Sequence, residues 1–298
     1  MNLTSSHPRP PTAPRSAGEG MIKWARLGYA AKGVVYLIIG LLAVLWASGQ
    51  RSEAPDRQTA IQSIHDQPFG QALLVLVALG LLGYAIWRLV GAIVDVEDQG
   101  TKLQGIATRI GYGVVAVSYG LLAVTALQIA LGLGNSGQGS GSDASTQDWT
   151  ARLLSQPFGV WLVVLIGLII IGAGVYHLYL AWSTKFEEKL DLHGLDQKGR
   201  ELCTRIGQIG LAAQGVVMGT MGVFLVMSAL RHDPSQARGI PGALAELAQH
   251  PYGGLLVGVV ALGVMAFGLY SLIEARFIRL HEPDPGQQGS ALRPLTRR

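Results

Sequence analysis

Apolar residues run along this chain in six long stretches rather than in alternation or in narrow helical stripes. They lie at Trp24–Ala47, Phe69–Val94, Ala107–Gly132, Phe158–Trp182, Thr204–Ala229 and Tyr252–Glu274. A helix needs about 20 such residues to cross a bilayer, and each stretch is long enough. Leu, Val, Ile, Ala and Gly fill them without the strict alternation of a membrane barrel strand. The pattern predicts an all-α, polytopic membrane protein with six transmembrane helices. Polar loops within each pair of stretches carry shorter segments, TAIQSIHDQ, QDWTARLLSQ and PGALAELAQH. Their apolar residues (Ile61 and Ile64, Trp149 and Leu153, Leu244 and Leu247) fall at helical spacing. Each predicts a short helix lying on the membrane surface.

The six stretches are three copies of one unit. Arg26-Leu-Gly28 opens the first, Arg109-Ile-Gly111 the third and Arg205-Ile-Gly207 the fifth. QPFG precedes the second and fourth stretches (Pro68, Phe69, Gly70; Pro157, Phe158, Gly159), and HPYG precedes the sixth (Pro251, Tyr252, Gly253). Counted from each motif proline, Trp87, Tyr176 and Tyr270 hold one position, and Arg88, His177 and Ser271 the next. The units span 22–98, 105–190 and 201–280, a period too long for the common solenoid repeats. A helical hairpin with a decorated loop fits that length. A basic region before the first stretch resembles the start of a signal peptide, but the repeat makes that stretch one copy of a mature element. In the Pro-aromatic-Gly motif, proline is expected in the first helical turn, the aromatic at the water–lipid interface, and glycine where the chain bends inward.

Composition supports the membrane assignment. Charged residues make up 14% and mean hydropathy is +0.35, whereas soluble domains carry roughly 25% charged residues. Glycine is abundant, 40 of 298 residues, which suits helices packed closely in lipid. A single cysteine, Cys203, excludes an intramolecular disulfide and a cysteine-based metal cluster. Lys and Arg concentrate on the side of the termini, and the opposite side holds only Arg51, Arg57, Arg152, Arg231 and Arg238. The positive-inside bias places both termini in the cytoplasm of a bacterial inner membrane. Each hairpin then starts and ends inside, so the repeats are parallel and suggest a pseudo-threefold bundle. Residues 1–20 and 281–298, rich in Pro and polar side chains, read as disordered tails. The second tail is basic enough to touch anionic headgroups.

The R-[LI]-G helix starts, the doubled QPFG and the second helix of each unit resemble the DUF1206 family of bacterial membrane proteins. The resemblance covers about residues 22–280. It implies a six-helix, three-repeat inner-membrane protein and brings no activity, so no catalytic residue is carried over. The third copy departs with HPYG, and with Gln208 where the first two have Tyr29 and Tyr112. Its surface is expected to face something different.

Motifs for chemistry are sparse. GLGNSG at 132–137 matches a dinucleotide fingerprint, but it follows a transmembrane helix and runs into a Gly/Ser loop instead of joining a strand to a helix. The seven histidines have no metal-ligand spacing on one helix. No catalytic residue, metal, cofactor or nucleic-acid partner is expected. Ionisable groups within apolar stretches are the strongest leads, because burial in lipid is costly. Lys32, Arg88, His177 and Glu274 collect in the cytoplasmic half. Three readings compete: snorkelling and helix capping, a vestibule for an anion or acidic lipid headgroup, and a Lys32–Glu274 structural ion pair. Deeper positions read as uncharged. Gln214, Ser118, Thr125 and Thr220 are expected to bond backbone or neighbouring helices, and Tyr36 and Tyr119 to pack in the core. Gly215-x-x-x-Gly219 and Gly254-x-x-x-Gly258 are small-residue contacts suited to self-association.

A non-catalytic scaffold or partner-binding protein is the first functional expectation. A small-solute or anion transporter, or an anionic-lipid-binding protein, is the alternative, and an intramembrane enzyme ranks last. The expected partners are the lipid bilayer, an anionic lipid, another membrane protein, or a second copy meeting Gly-rich faces.

Overall fold

The computed structural model describes residues 15–50, 54–55, 57–94, 103–133 and 142–278. Six helices are long and apolar enough to cross a membrane: α1 (Arg15–Ala47), α3 (Gly70–Val94), α4 (Leu103–Ala130), α6 (Gly159–Ser183), α7 (Gln197–Arg231) and α9 (Gly253–Phe277). The short helices α2 (Arg57–His65), α5 (Ser142–Leu154) and α8 (Ile240–Gln249) fall in the three loops where amphipathic segments were expected. Residues 15–20, read from sequence as part of a disordered tail, form the start of α1. The rest of that tail, all of the C-terminal one and most of the GLGNSG loop lie outside the described residues.

Packing follows the repeat. The second long helix of each unit lies most extensively against the first of the next: α3 on α4, α6 on α7, α9 on α1. These three equivalent interfaces carry the pseudo-threefold pattern. Within units, α1 packs on α3 and α7 on α9, but α4 and α6 do not form a packed pair. The helices therefore run α4–α3–α1–α9–α7–α6 as a ring left open in the second repeat.

Small residues explain where it closes. A methyl group on Gly80 of α3 would overlap Ala31 of α1, and one on Gly263 of α9 would overlap Ala213 of α7. The same repeat position in α6 is Ile169, which is exposed. Gly28 lets α1 meet the Tyr84 backbone and Gly210 lets α7 meet Phe267, whereas Gly111 of α4 has open space around it. Gly215 packs on Gly174 and Leu178 of α6. That glycine face, expected to serve self-association, is used within the molecule.

The Pro-aromatic-Gly motif is a β-turn. Gly70, Gly159 and Gly253 each donate their N–H to the carbonyl three residues back, at 2.8, 2.9 and 2.8 Å. The long helix starts at that glycine, so the proline sits in the turn ahead of it and not in its first turn as expected. Phe69, Phe158 and Tyr252 occupy the third turn position with left-handed φ of 64°, 64° and 65°, the geometry of a type II turn that usually selects glycine there. An aromatic at that angle costs about 1–2 kcal/mol. These rings are 82–87% exposed and stand where an interfacial anchor would. The following glycine is required by space, since a methyl group on it would overlap carbonyl oxygens of the preceding short helix in all three copies.

The short helices do more than lie on a surface. Ile61 and Ile64 of α2 and Leu244 of α8 are buried against the long helices, while Trp149 of α5 is exposed. Asp143 at the start of α5 accepts the Gly239 N–H just before α8 at 2.5 Å, and Gln147 donates to the Ser235 carbonyl at 3.3 Å. On the opposite side the α6–α7 connection tucks under α9. Phe186, Leu190 and Leu192 are buried, and Asp191 N–H donates to the Phe277 carbonyl.

Candidate functional site

Along α1, Tyr29, Lys32 and Tyr36 share one face at i, i+3, i+7 spacing, all pointing inward and all buried. Tyr29 and Tyr36 lie about 10 Å apart along the axis, at 1.5 Å rise per residue. Each holds a cation from another element. The Arg88 guanidinium of α3 donates to the Tyr29 hydroxyl at 3.0 Å and the Tyr84 hydroxyl at 3.1 Å. Its centre lies 4.8 Å from the Tyr112 ring of α4. Arg57, the first residue of α2, donates to the Tyr36 hydroxyl at 2.7 Å and lies 5.2 Å from the Tyr119 ring of α4. Edge-to-face contacts between Tyr29 and Tyr84 at 5.0 Å and between Tyr84 and Tyr119 at 4.8 Å tie the rings into a column.

Lys32 occupies the middle of this column. It sits ten residues into the span beginning at Ile22, about 15 Å from one end and about 22 Å from the other. The side chain turns inward to Glu274 and Phe267 and does not run along the helix toward its end. Its ammonium lies 3.6 Å from the Glu274 carboxylate of α9 and over the Phe267 ring at 4.6 Å, with the Tyr84 and Tyr29 rings at 5.6 and 5.7 Å. Tyr270, one turn before Glu274, approaches the same carboxylate. His177 of α6 is close enough to interact electrostatically with Lys32 and Glu274, and its Nδ1 donates to the Ala173 carbonyl at 2.8 Å. Ser271 is fully buried and donates to the Phe267 carbonyl at 3.0 Å.

Of the four expected site residues, Lys32 and Glu274 pair and Arg88 shares the Tyr29 and Tyr84 rings with Lys32, while His177 stands on α6 and bonds the Ala173 carbonyl of its own helix. Two expectations are corrected. Charge does lie deep in the bundle, and Arg57, assigned to an outer loop, points into the core. The hydroxyls of Tyr36 and Tyr119 gave the available hint, because a buried Tyr usually finds a polar partner. Arg57 lies outside the spanning segments, and the neighbouring Tyr36 and Tyr119 raise its pKa further, so it stays charged.

Of the deeper polar residues, Thr125 and Thr220 donate to carbonyls four residues back, as expected. Gln214 instead lines a small cavity with Tyr36, Ile39, Val217 and Leu244, with room for about one water molecule. Among the described residues, no three His, Cys, Asp or Glu side chains are grouped as a metal site would need.

The repeat arginines lie inside α1, α4 and α7, beyond the first turn of each helix. Arg109 donates to the Ala92 and Ile93 carbonyls at 2.8 and 2.7 Å, capping the end of α3. Arg205 pairs with Glu201 one turn earlier. Arg26 is exposed, and Gly207 makes room for the Phe186 ring.

Among the described residues the column therefore groups Arg57, Lys32 and Arg88 with the Glu274 carboxylate, and tyrosine rings and hydroxyls lie between them. "Uncharacterized protein YxxB" of Bacillus subtilis (strain 168) is 34% identical over 252 residues, 85% of this chain and 89% of the relative. No solved structure matches. The model of the Domain of Unknown Function DUF1206 matches residues 27–95, 110–184 and 209–277, one match per repeat, and the chain belongs to that family.

Proposed function

We propose that this is a non-enzymatic, multi-pass protein of the bacterial inner membrane, with both termini cytoplasmic, that binds an anionic group at the buried cation column. The carrying observation is the grouping of Arg57, Lys32 and Arg88 along one column of tyrosines, with Glu274 beside Lys32. Burying a charge costs several kcal/mol even when it is paired, and apolar residues in its place are often neutral or stabilising. Lys32, Arg88 and Glu274 lie within the spans, and intramembrane ionisable groups are by default functional candidates. The state described here is closed: tyrosines and Phe267 fill the column, and the adjoining cavity holds about one water. Anion binding accordingly requires the column to open, with Glu274 leaving Lys32.

The test uses protein in nanodiscs of neutral lipid, unfolded by heat while inorganic phosphate or acetate is titrated. A bound anion raises the midpoint by mass action. The rise should vanish in the Lys32→Met/Arg88→Gln double variant. Equal behaviour of both proteins at every concentration refutes the assignment. A second reading, a partner-binding scaffold, draws on the largely exposed apolar faces of α4 and α6 and predicts a stoichiometric protein partner that survives the same double substitution.

A further inference from the structure

The opening in the second repeat bears on which anion the column takes. The position shared by Trp87, Tyr176 and Tyr270 is 6%, 54% and 4% exposed, so only the α6 residue is out of the core. Leu27 and Ala31 of α1, which meet Gly80, correspond by repeat position to Ile110 and Val114 of α4. Both are more than 60% exposed, as is Ile169. Large side chains on both walls prevent α4 and α6 from meeting as the other pairs do. The opening is therefore built in by sequence, with exposed apolar residues on both walls. Polar residues of the column flank it: half-buried Arg88 and Tyr112 on the α3–α4 side, half-buried His177 on the α6 side.

Resting on the anion-binding reading, we propose that the ligand is an anionic membrane lipid. It enters sideways between α4 and α6, leaves its acyl chains against Ile110, Val114 and Ile169, and brings its headgroup to Arg88. Charge complementarity selects this occupant, because an apolar gap edged by a guanidinium, a phenol and an imidazole suits a molecule with an anionic head and apolar tails. A route from water would need a polar cavity, and the cavity beside Tyr36 holds about one water.

Native mass spectrometry of the full chain, released with phosphatidylglycerol or phosphatidylcholine in equal amounts, tests this. One phosphatidylglycerol per protein should be retained in preference to phosphatidylcholine. Ile169→Trp, a bulky change at an exposed position that leaves the core untouched, should cut that adduct about ten-fold, equivalent to 1.4 kcal/mol. Leu262→Trp, exposed on α9, should not. Equal retention of the two lipids overturns the proposal, as does an adduct indifferent to Ile169→Trp. If inorganic phosphate binds and Lys32→Met/Arg88→Gln abolishes it while Ile169→Trp does not, the anion comes from water; the site reading then stands and the lipid is refuted. Absence of any anion adduct removes both readings. A dimer lost in Ile169→Trp identifies the opening as a protein interface and overturns the lipid.

Discussion

Replacing Lys32 and Glu274 singly and together tests the centre of the column. Their charged atoms are 3.6 Å apart and the side chains are 9% and 13% exposed. At an effective dielectric constant near 20, that separation corresponds to about 4–5 kcal/mol of attraction. Removing either partner leaves the other charge buried without compensation, a loss of about 3–5 kcal/mol. Lys32→Met also gives up its cation–π contacts with Phe267 and the two tyrosines, worth up to about 2 kcal/mol each for a desolvated cation. Glu274→Gln leaves those contacts intact and should be the milder change. Lys32→Met/Glu274→Met removes both charges and should recover most of the loss, giving a coupling energy of about 2–4 kcal/mol. Reversible unfolding in mixed micelles, followed by circular dichroism as SDS is raised, reads all four corners of the cycle. Additivity within about 0.5 kcal/mol would refute the ion pair, and with it the claim that Glu274 holds Lys32 in the closed state.

Other consequences concern the frame around the column. Gly159→Ala should destabilise by about 1–3 kcal/mol, an overpacking penalty, because its methyl group would overlap the Leu153 carbonyl; the same unfolding assay checks it. Phe158→Gly should relieve the left-handed angle and hold or raise intrinsic stability by about 1 kcal/mol while loosening membrane anchoring, read as shallower quenching of Trp161 by lipid-attached probes. Arg57→Leu breaks the bond to Tyr36 and should cost about 1.5–3 kcal/mol. It should also speed proteolysis beside α2, whereas no change in cleavage would show that Arg57 does not pin that helix. Asp233, outside the spans, is held below the usual carboxylate range by hydrogen bonds from Ser235 and Gln236. A depressed folded-state pKa stabilises above the unfolded value and loses that contribution as pH falls. Hydrogen exchange in 232–236 should therefore accelerate below about pH 4 in the native protein and show no such pH step in Asp233→Asn.

Much of this architecture is legible in the residues. Unbroken apolar stretches long enough for a bilayer specify the six spans, and the recurrence of R-[LI]-G and Pro-aromatic-Gly specifies three units. Interfaces between units were legible only as a class, because hydropathy does not say which glycine meets which helix. The open second repeat was written in the sequence as Ile169 against Gly80 and Gly263, but that contrast acquires meaning only once those glycines are seen touching α1 and α7. Arg57 was missed for a different reason. A lone Arg at the head of a polar segment normally faces water, and its burial depends on two tyrosines brought from α1 and α4. Lys32 and Glu274 lie far apart in the chain, so their pairing could be entertained from sequence but only the α1–α9 contact makes it.

The most direct test of the central claim, that the cation column binds an anionic group, is the mass of what the protein retains when gently released from its own membrane. The account predicts one anion-bearing molecule per chain, absent from Lys32→Met/Arg88→Gln protein that remains folded. A chain that carries no anionic molecule, or carries the same one after both cations are removed, would contradict it.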